Sequence, residues 1–179
     1  LQMDYYKGVR NIIEESDKGN HLSSIRREYQ PTRDLSTEYP FCVFEVINSR
    51  LVNGVGETIY QQNQEDQSIL DEIVAQNYIH GFDIKFYNNR ENISEEDYIS
   101  VENLSLMLTN FIRSAKSTLI QSANNFFIKL GTMQAISPRV ILDEHLYQDV
   151  AVVSFDIVSH FSQRYTTDTL QEITLTQQN

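Results

Sequence analysis

The sequence predicts an α/β fold of the α+β type, in which a mostly antiparallel sheet of long strands carries one major helix on one face. Two patterns predict it: apolar and polar residues alternate unusually far over 148–161, and one apolar stripe at helical spacing runs from 101 to 130. The chain has 179 residues with only 6 Gly and 3 Pro, so most of it is expected to be regular structure. We expect residues 1–38 to form an N-terminal helical or extended arm and residues 39–179 to form one α/β domain.

The N-terminal arm has the pattern of short elements. An amphipathic helix is expected over 4–15, where apolar residues recur at helical spacing (Tyr5, Val9, Ile12 and Ile13). The segment DKGN at 17–20 ends this helix. A second short helical piece is expected around Leu22, Ile25 and Tyr29, and the polar segment 31–40, bounded by prolines, is expected to be a loop.

Two segments in the first half of the domain predict strands. Residues 41–48 (FCVFEVIN) are rich in β-branched and aromatic residues and follow Pro40. Residues 68–88 alternate in the same way and predict one long strand or two consecutive ones. Gly81 lies inside this segment, so we expect a bulge or a bend there.

The major helix is predicted over 94–130. Acidic residues in the segment SEED at 94–97 favour a helix N-terminus, and Gly131 is a typical residue just beyond a C-terminus. The stripe contains four residues that we assign to the core, where the helix lies across the sheet: Phe111, Ile112, Phe126 and Phe127. The helix is expected to be either continuous or broken in two near 114–117.

The C-terminal part predicts a strand over 133–142 and then the long strand over 148–161. Pro138 places the first of these at a sheet edge or a bulge, and DEH at 143–145 is interpreted as a polar turn rather than a metal site. One face of the long strand is apolar and includes Phe155 and Ile157, which we assign to the core. The other face is mixed, and its three valines are the candidate subunit-interface residues: Val150, Val152 and Val158. Residues 169–179 are compatible with a short helix or a strand.

The composition argues against several classes of protein. The net charge of −11 disfavours tight nucleic-acid binding, which requires neutralisation of phosphates by a basic face. Cys42 stands in an apolar run and is expected to be a buried thiol. No apolar run is long enough to span a bilayer, so we expect a soluble protein with no membrane partner.

Enzyme motifs are also missing from the sequence. None of the four histidines is paired with Ser or Cys in a nucleophile motif, and no GxSxG, HExxH or CxxC occurs. We therefore expect a protein that is not an enzyme and that needs no cofactor or metal. An acid–base hydrolase that uses Asp66, Asp71 or Glu72 is retained as an alternative.

Three segments carry a resemblance to a known family: YPFCVF at 39–44, FDIKFY at 82–87 and SFDIV at 154–158. Together with the order of the elements over 39–175, they resemble the tail terminator and neck proteins of tailed bacteriophages. Such proteins often have a basic residue at the start of the last long strand, where this chain has Gln148 and Asp149. Any contact made by that basic residue is therefore not expected here.

The resemblance implies a structural virion protein that forms a ring, often a homohexamer, at the top of the tail. Its expected partners are further copies of itself, the tail tube protein and a neck or head-completion protein, and DNA is expected to pass through the ring without tight binding. Its expected location is the virion, after assembly in the host cytoplasm. Two alternatives stay open: a non-catalytic cytoplasmic adaptor that binds one protein partner, and a head–tail connector component elsewhere in the neck.

Overall fold

A computed structural model describes residues 5–27, 39–52, 57–65, 70–89, 98–137, 139–143 and 146–167. These residues form three helices and seven strands. In chain order the elements are α1 (Tyr5–Ser16), β1 (Ser24–Arg27), β2 (Phe41–Leu51), β3 (Glu57–Gln62), β4 (Leu70–Asn88), α2 (Val101–Ile112), α3 (Ala115–Ala123), β5 (Phe126–Ile136), β6 (Arg139–Asp143) and β7 (Leu146–Thr167). None of the three described helices is long and apolar enough to cross a membrane.

The seven strands form one mixed sheet. Its order is β1-β2-β4-β7-β5, with β3 paired to β4 and β6 paired to β7. Strand β1 is parallel to β2, whereas the pairs β3–β4 and β6–β7 are antiparallel. The predicted class of a mixed α/β fold with a mostly antiparallel sheet is confirmed, but the prediction of one major helix is wrong because the described residues contain three helices.

The chain divides into two compact units. Unit 1 comprises residues 1–49 and 80–158, and unit 2 comprises residues 50–79 and 159–179. Helix α1 belongs to unit 1 and contributes four side chains to its core: Tyr5, Val9, Ile12 and Ile13. The described residues of the predicted arm 1–38 are therefore an integral part of unit 1, and its predicted end at residue 38 lies outside the described residues.

The core of unit 1 lies between the three helices and one face of the sheet. Five of the six predicted core residues are in it: Phe111, Ile112, Phe126, Phe155 and Ile157 are at most 9% exposed. Alternate residues of the sheet strands complete it, among them Cys42, Phe82, Ile84, Ala151 and Val153. Gly8 of α1 permits a close approach, because a Cβ atom at this position would lie 2.3 Å from the Phe126 ring.

The helix predicted over 94–130 is broken where expected, but it ends earlier than predicted. Ser114 separates α2 from α3 and caps α3 by accepting a hydrogen bond from Ser117 N at 3.2 Å, so the predicted break near 114–117 is confirmed. The helix then ends at Ala123, and Asn125 adopts a left-handed φ of 53°. Beyond it the side chains alternate as in a strand: Phe126 is 5% exposed, but Phe127 is 56% exposed, so the assignment of Phe127 to the core is wrong.

The start of α2 also differs from the prediction. Its N-cap is Ser100, whose hydroxyl accepts a hydrogen bond from Asn103 N at 3.1 Å, and the backbone at Ser100 is extended. The predicted capping segment 94–97 lies outside the described residues. Residues 144–145 of the predicted turn and residues 168–179 also lie outside them.

The two predicted long strands are present. Strand β4 has 19 residues, without an interruption at Gly81, and β7 has 22 residues. Gly81 is buried against the Asn48 side chain, whose Oδ1 would lie 3.0 Å from an added Cβ. The glycine thus serves close packing against β2.

His80 is a buried polar residue at the α1 side of the sheet. It is 2% exposed, its Nδ1 lies 2.7 Å from Ser49 Oγ, and its ring stacks on Tyr5 with centroids 4.5 Å apart. Burial lowers the pKa of His80 below the ordinary value of about 6.5, because desolvation penalises the imidazolium form. The neutral ring is therefore the form that fits this site.

We expect this histidine to make the fold less stable in acid. The unfolded chain binds the proton near pH 6.5 while the folded chain does not, so the stabilisation is complete above that pH and is lost as the pH falls below it. Urea denaturation between pH 5 and pH 8 measures this slope. His80→Asn should flatten the slope, and a slope equal to that of the wild type would contradict the assignment.

Unit 2 is built from strands. Its β3 pairs with β4 in the register Ile59↔Ile73 and Tyr60↔Glu72. Residues 70–79 of β4 lie beside residues 159–167 of β7, since His160 Nδ1 lies 3.0 Å from Asn77 Oδ1 and Thr166 Oγ1 donates to Asp71 Oδ1 at 3.3 Å. No described helix belongs to this unit.

Candidate subunit interface

The face of the unit 1 sheet opposite the core carries none of the described helices. We call it the open face and define it by the residues of β2, β4 and β7 that alternate with core residues: Val43, Glu45, Asp83, Lys85, Tyr87, Val152, Ser154, Asp156 and Val158. All nine side chains are half-buried. The open face is thus partly covered by its own neighbouring side chains and presents an uninterrupted mixed surface.

Paired polar groups run across the centre of the open face. Lys85 Nζ forms an ion pair with Glu45, and Ser154 Oγ donates a hydrogen bond to Asp83 Oδ1 at 2.5 Å. The hydrogen bond to Glu45 raises the pKa of Lys85, which keeps this lysine protonated. Because Lys85 and Glu45 compensate each other within the chain, a partner would not have to supply counter-charges to cover this pair.

One end of the open face is aromatic. The rings of Phe41 and Tyr87 stack with centroids 4.8 Å apart, Tyr39 lies 5.4 Å from Phe41, and the Arg26 guanidinium lies 5.5 Å from the Phe41 centroid. Burial raises the pKa of Tyr87, so its phenol stays neutral. This end is therefore a cluster of aromatic rings with one cation, Arg26, beside it.

The structure separates the three predicted interface valines. Val152 and Val158 lie half-buried on the open face, in the position expected for a contact with a partner. Val150 is only 6% exposed, so it offers almost no free surface. Next to it, Tyr98 Oη donates a hydrogen bond to Asp149 Oδ2 at 2.6 Å, which shows that residues preceding α2 lie against this end of β7.

A second candidate surface, which the sequence pattern did not indicate, lies along β5. The strand is last in the sheet order, and we call its outer side the β5 edge (residues 126–136). Three of its large apolar side chains are exposed, namely Phe127 (56%), Leu130 (50%) and Ile136 (59%), and Leu119 of the adjacent α3 is 71% exposed. The signal for this surface was the asparagine pair at 124–125, which ends the helix and starts strand alternation.

The two described carboxylates of the hydrolase alternative, Asp71 and Glu72, do not form a pair. Asp71 is 1% exposed and is held by Asn63 Nδ2 at 3.1 Å and by Thr166, with Arg164 at 3.6 Å. Glu72 follows it in a strand and therefore points to the other face, where Tyr60 Oη lies 3.4 Å away. Asp66 lies outside the described residues, so the described geometry brings no two of the three together.

Metal and thiol chemistry have little support in the described part of the chain. No group of three or more His, Cys, Asp or Glu side chains that would hold a metal occurs within the described ranges. Cys42 is fully buried, and burial raises the pKa of its thiol far above the ordinary range, so the unreactive protonated form prevails.

Comparison with known proteins assigns no family to this chain. No protein-family model matches the sequence, and a search of curated proteins finds no match. The function is therefore inferred from the two surfaces of the chain, the open face and the β5 edge.

Proposed function

We propose that this protein is a non-catalytic subunit of a ring at the top of a bacteriophage tail, which terminates the tail tube and joins it to the neck. The observation that supports it most is the open face, a sheet face that no described helix covers and that combines half-buried valines with an internal ion pair, Lys85–Glu45. Such a face matches the mixed apolar and polar character of stable protein interfaces. The resemblance of segments 39–44, 82–87 and 154–158 to tail terminator and neck proteins supplies the biological setting.

In this proposal the two sides of the unit 1 sheet have different tasks. The helices bury one side, with Phe82, Phe155 and Leu108 at most 2% exposed, which holds the strands in a fixed arrangement. The other side contacts a neighbouring copy, and the ring as a whole contacts the tail tube protein and a neck protein. No bond is made or broken, so the subunit acts through the shape and polarity of its surfaces.

Val152→Lys should abolish assembly while the subunit stays folded. A lysine at this half-buried position of the open face would extend its ammonium group to solvent, and covering it would require its desolvation. Native mass spectrometry gives the oligomeric mass, and thermal denaturation verifies folding. Asn110→Lys, on the exposed side of α2, introduces the same charge and should leave the mass unchanged.

The outcomes of this measurement separate the proposal from its alternative. A ring in the wild type that is lost in Val152→Lys supports the ring subunit. A monomer in the wild type at all concentrations favours the adaptor that binds one protein partner. A variant that unfolds would place Val152 in the core and contradict its role at the interface.

We also expect no measurable binding of duplex DNA by the assembled protein. Each chain carries −11, so the phosphates of DNA meet repulsion within a Debye length of about 8 Å at physiological salt. A ring through which a genome passes needs an inner surface without affinity for DNA. Fluorescence anisotropy at low salt, where electrostatic binding is strongest, is the suitable measurement. Micromolar, salt-sensitive binding would contradict this expectation.

A further inference from the structure

We propose that the ring is closed by strand addition: the β5 edge of one copy pairs with the outer edge of β3 in the next copy. The proposal rests on the proposed function, since it adds a second contact, besides the open face, between neighbouring subunits of the ring. Both strands lie at an edge, both expose apolar side chains, and their surroundings carry opposite charge.

The β5 edge is unprotected along most of its length. Within the described ranges no strand pairs with its outer side. The exception is at its start, where Ile128 N donates a hydrogen bond to Gln121 Oε1 of α3 at 2.8 Å. Lys129 is the only charged residue in this 11-residue strand, and Pro138 follows only after its end. Soluble proteins usually protect an edge of this length with charges, prolines or a covering segment.

The outer edge of β3 has the same character on a smaller scale. Its inner side pairs with β4 over Glu57↔Ala75 to Gln62↔Leu70, and no other described strand pairs with it. Its residues 57–60 are all exposed, with Ile59 at 47% and Tyr60 at 57%. The strand thus presents backbone groups and two large side chains to a partner.

Charge identifies which edge fits which. The 40 residues 103–142, which contain the β5 edge, include four basic residues and no acidic one: Arg113, Lys116, Lys129 and Arg139. The rest of the chain therefore carries −15, because the whole carries −11. Lys116 forms an ion pair with Glu15 of α1, so Lys129, within β5 itself, is the charge that the contact uses.

Residues 50–79, which contain β3, have Arg50 against five acidic residues and a net charge of −4 (Glu57, Glu65, Asp66, Asp71 and Glu72). Asp71 is buried beside Arg164, so Glu57, exposed within β3 itself, is the charge that the contact uses. A basic edge meeting an acidic one gains favourable Coulomb energy and orientation.

Two other pairings of edges fit less well. If the β5 edges of two copies paired with each other, Lys129 and the basic residues around it would face the same residues of the second copy. Like charges in direct opposition destabilise strand pairs. The third edge, β1, has only four residues, two of which are Arg26 and Arg27, so it repeats the charge of β5. Among the pairings that involve β5, the pairing with β3 is the one that avoids like charges.

The symmetry of this contact agrees with a ring. Two different strands meet, so the contact is heterologous, and repetition of a heterologous contact gives a closed ring when the rotation closes. A symmetric β5–β5 contact would instead stop at a dimer. The occupant of the β5 edge is therefore a second copy of this chain, supplied through its β3.

Exchange of charges tests the contact. Lys129→Glu and Glu57→Lys should each raise the concentration at which half of the chains assemble by at least tenfold, which corresponds to about 1.4 kcal/mol. The double variant should restore assembly, because the two exchanged side chains would again bring opposite charges together across the contact. Lys18→Glu, on the exposed turn after α1, is the matched control and should have no effect. Sedimentation velocity measures the shift toward the 20.8 kDa monomer.

Thiol cross-linking identifies the edges that meet. Lys129→Cys chains mixed with Glu57→Cys chains should form a covalent dimer with a short bis-maleimide, whereas each variant alone should not; the native Cys42 is fully buried. A dimer of Lys129→Cys alone would show β5–β5 contact and overturn the inference. An assembled wild type whose mass is unchanged in both charge variants would overturn the inference and leave the ring proposal standing. A monomeric wild type would overturn both.

Discussion

Phe126→Ala should lower the free energy of unfolding by about 3–5 kcal/mol, whereas Phe127→Ala should change it by less than about 1 kcal/mol. The two residues are identical and adjacent, yet Phe126 is 5% exposed in the core of unit 1 and Phe127 is 56% exposed on the β5 edge. Removal of the first ring leaves a cavity beside Gly8 of α1. Removal of the second leaves only a small loss of strand preference.

Urea denaturation of the two variants gives the comparison directly. A loss of about 3–5 kcal/mol is a large part of the typical total of about 5–15 kcal/mol, so Phe126→Ala is best measured at low temperature or with a stabilising osmolyte. Similar losses in both variants would mean that Phe127 is covered. Both variants are therefore measured as monomers at low protein concentration, because in the ring a neighbouring copy would bury the Phe127 ring.

Gly8→Ala should destabilise the protein by about 1–3 kcal/mol, although alanine is the better helix former by about 1 kcal/mol. The added Cβ would lie 2.3 Å from Phe126 Cε1 and 2.9 Å from Asn124 Cβ, so the helix, the ring or both must shift. Overpacking of a dense core has a cost of this size. Thermal and urea denaturation measure the change.

Two comparisons isolate this close approach. Gly131→Ala adds a Cβ with no atom within 4 Å and should be neutral or slightly stabilising. In the Phe126→Ala background, Gly8→Ala should no longer destabilise, because the ring that it would meet is gone. A persistent loss in that background would assign the effect to Asn124 or to the backbone of α1.

The sequence alone was sufficient for the elements with a long, regular pattern. Apolar residues alternate in β7 over Ala151, Val153, Phe155 and Ile157, and each is buried as the pattern predicts. The same holds for β4 over Phe82, Ile84 and Phe86. A strand whose one face is fully apolar has its register fixed by burial, which is why such predictions are dependable.

The predictions failed where two periods are compatible with the same residues. Phe126, Phe127 and Leu130 continue a helical stripe as well as they begin a strand, and only Asn124 and Asn125 mark the change. The segment around Leu22 and Ile25 predicted a helical piece, but β1 forms there because it pairs in parallel with β2. Tertiary pairing overrides local spacing in a segment this short.

The candidate site was only partly accessible from the sequence. Val152 and Val158 were assigned to a mixed face, and they lie on the open face, whereas Val150 is 6% exposed. The hydrogen bond from Tyr98 to Asp149, the residue before Val150, joins positions 51 residues apart, which no local pattern shows. The β5 edge could be identified only once the strand order was known. The sequence alone shows that residues 103–142 contain no acidic residue. Only the strand order shows that this segment includes β5, the last strand of the sheet.

The hydrogen bond from Ile128 N to Gln121 Oε1 has a consequence for the alignment of any strand that adds to β5. Gln121 is 8% exposed and is held by Ser117 Oγ at 3.0 Å, so its amide is a fixed obstacle at the start of the edge. An incoming strand can bond beyond Ile128 toward Ile136, but it cannot slide toward α3. Edge pairing of a flat strand is prone to slippage, and a stop at one end selects a single alignment. The buried Gln121 side chain would thus fix the same strand register in every contact of a ring.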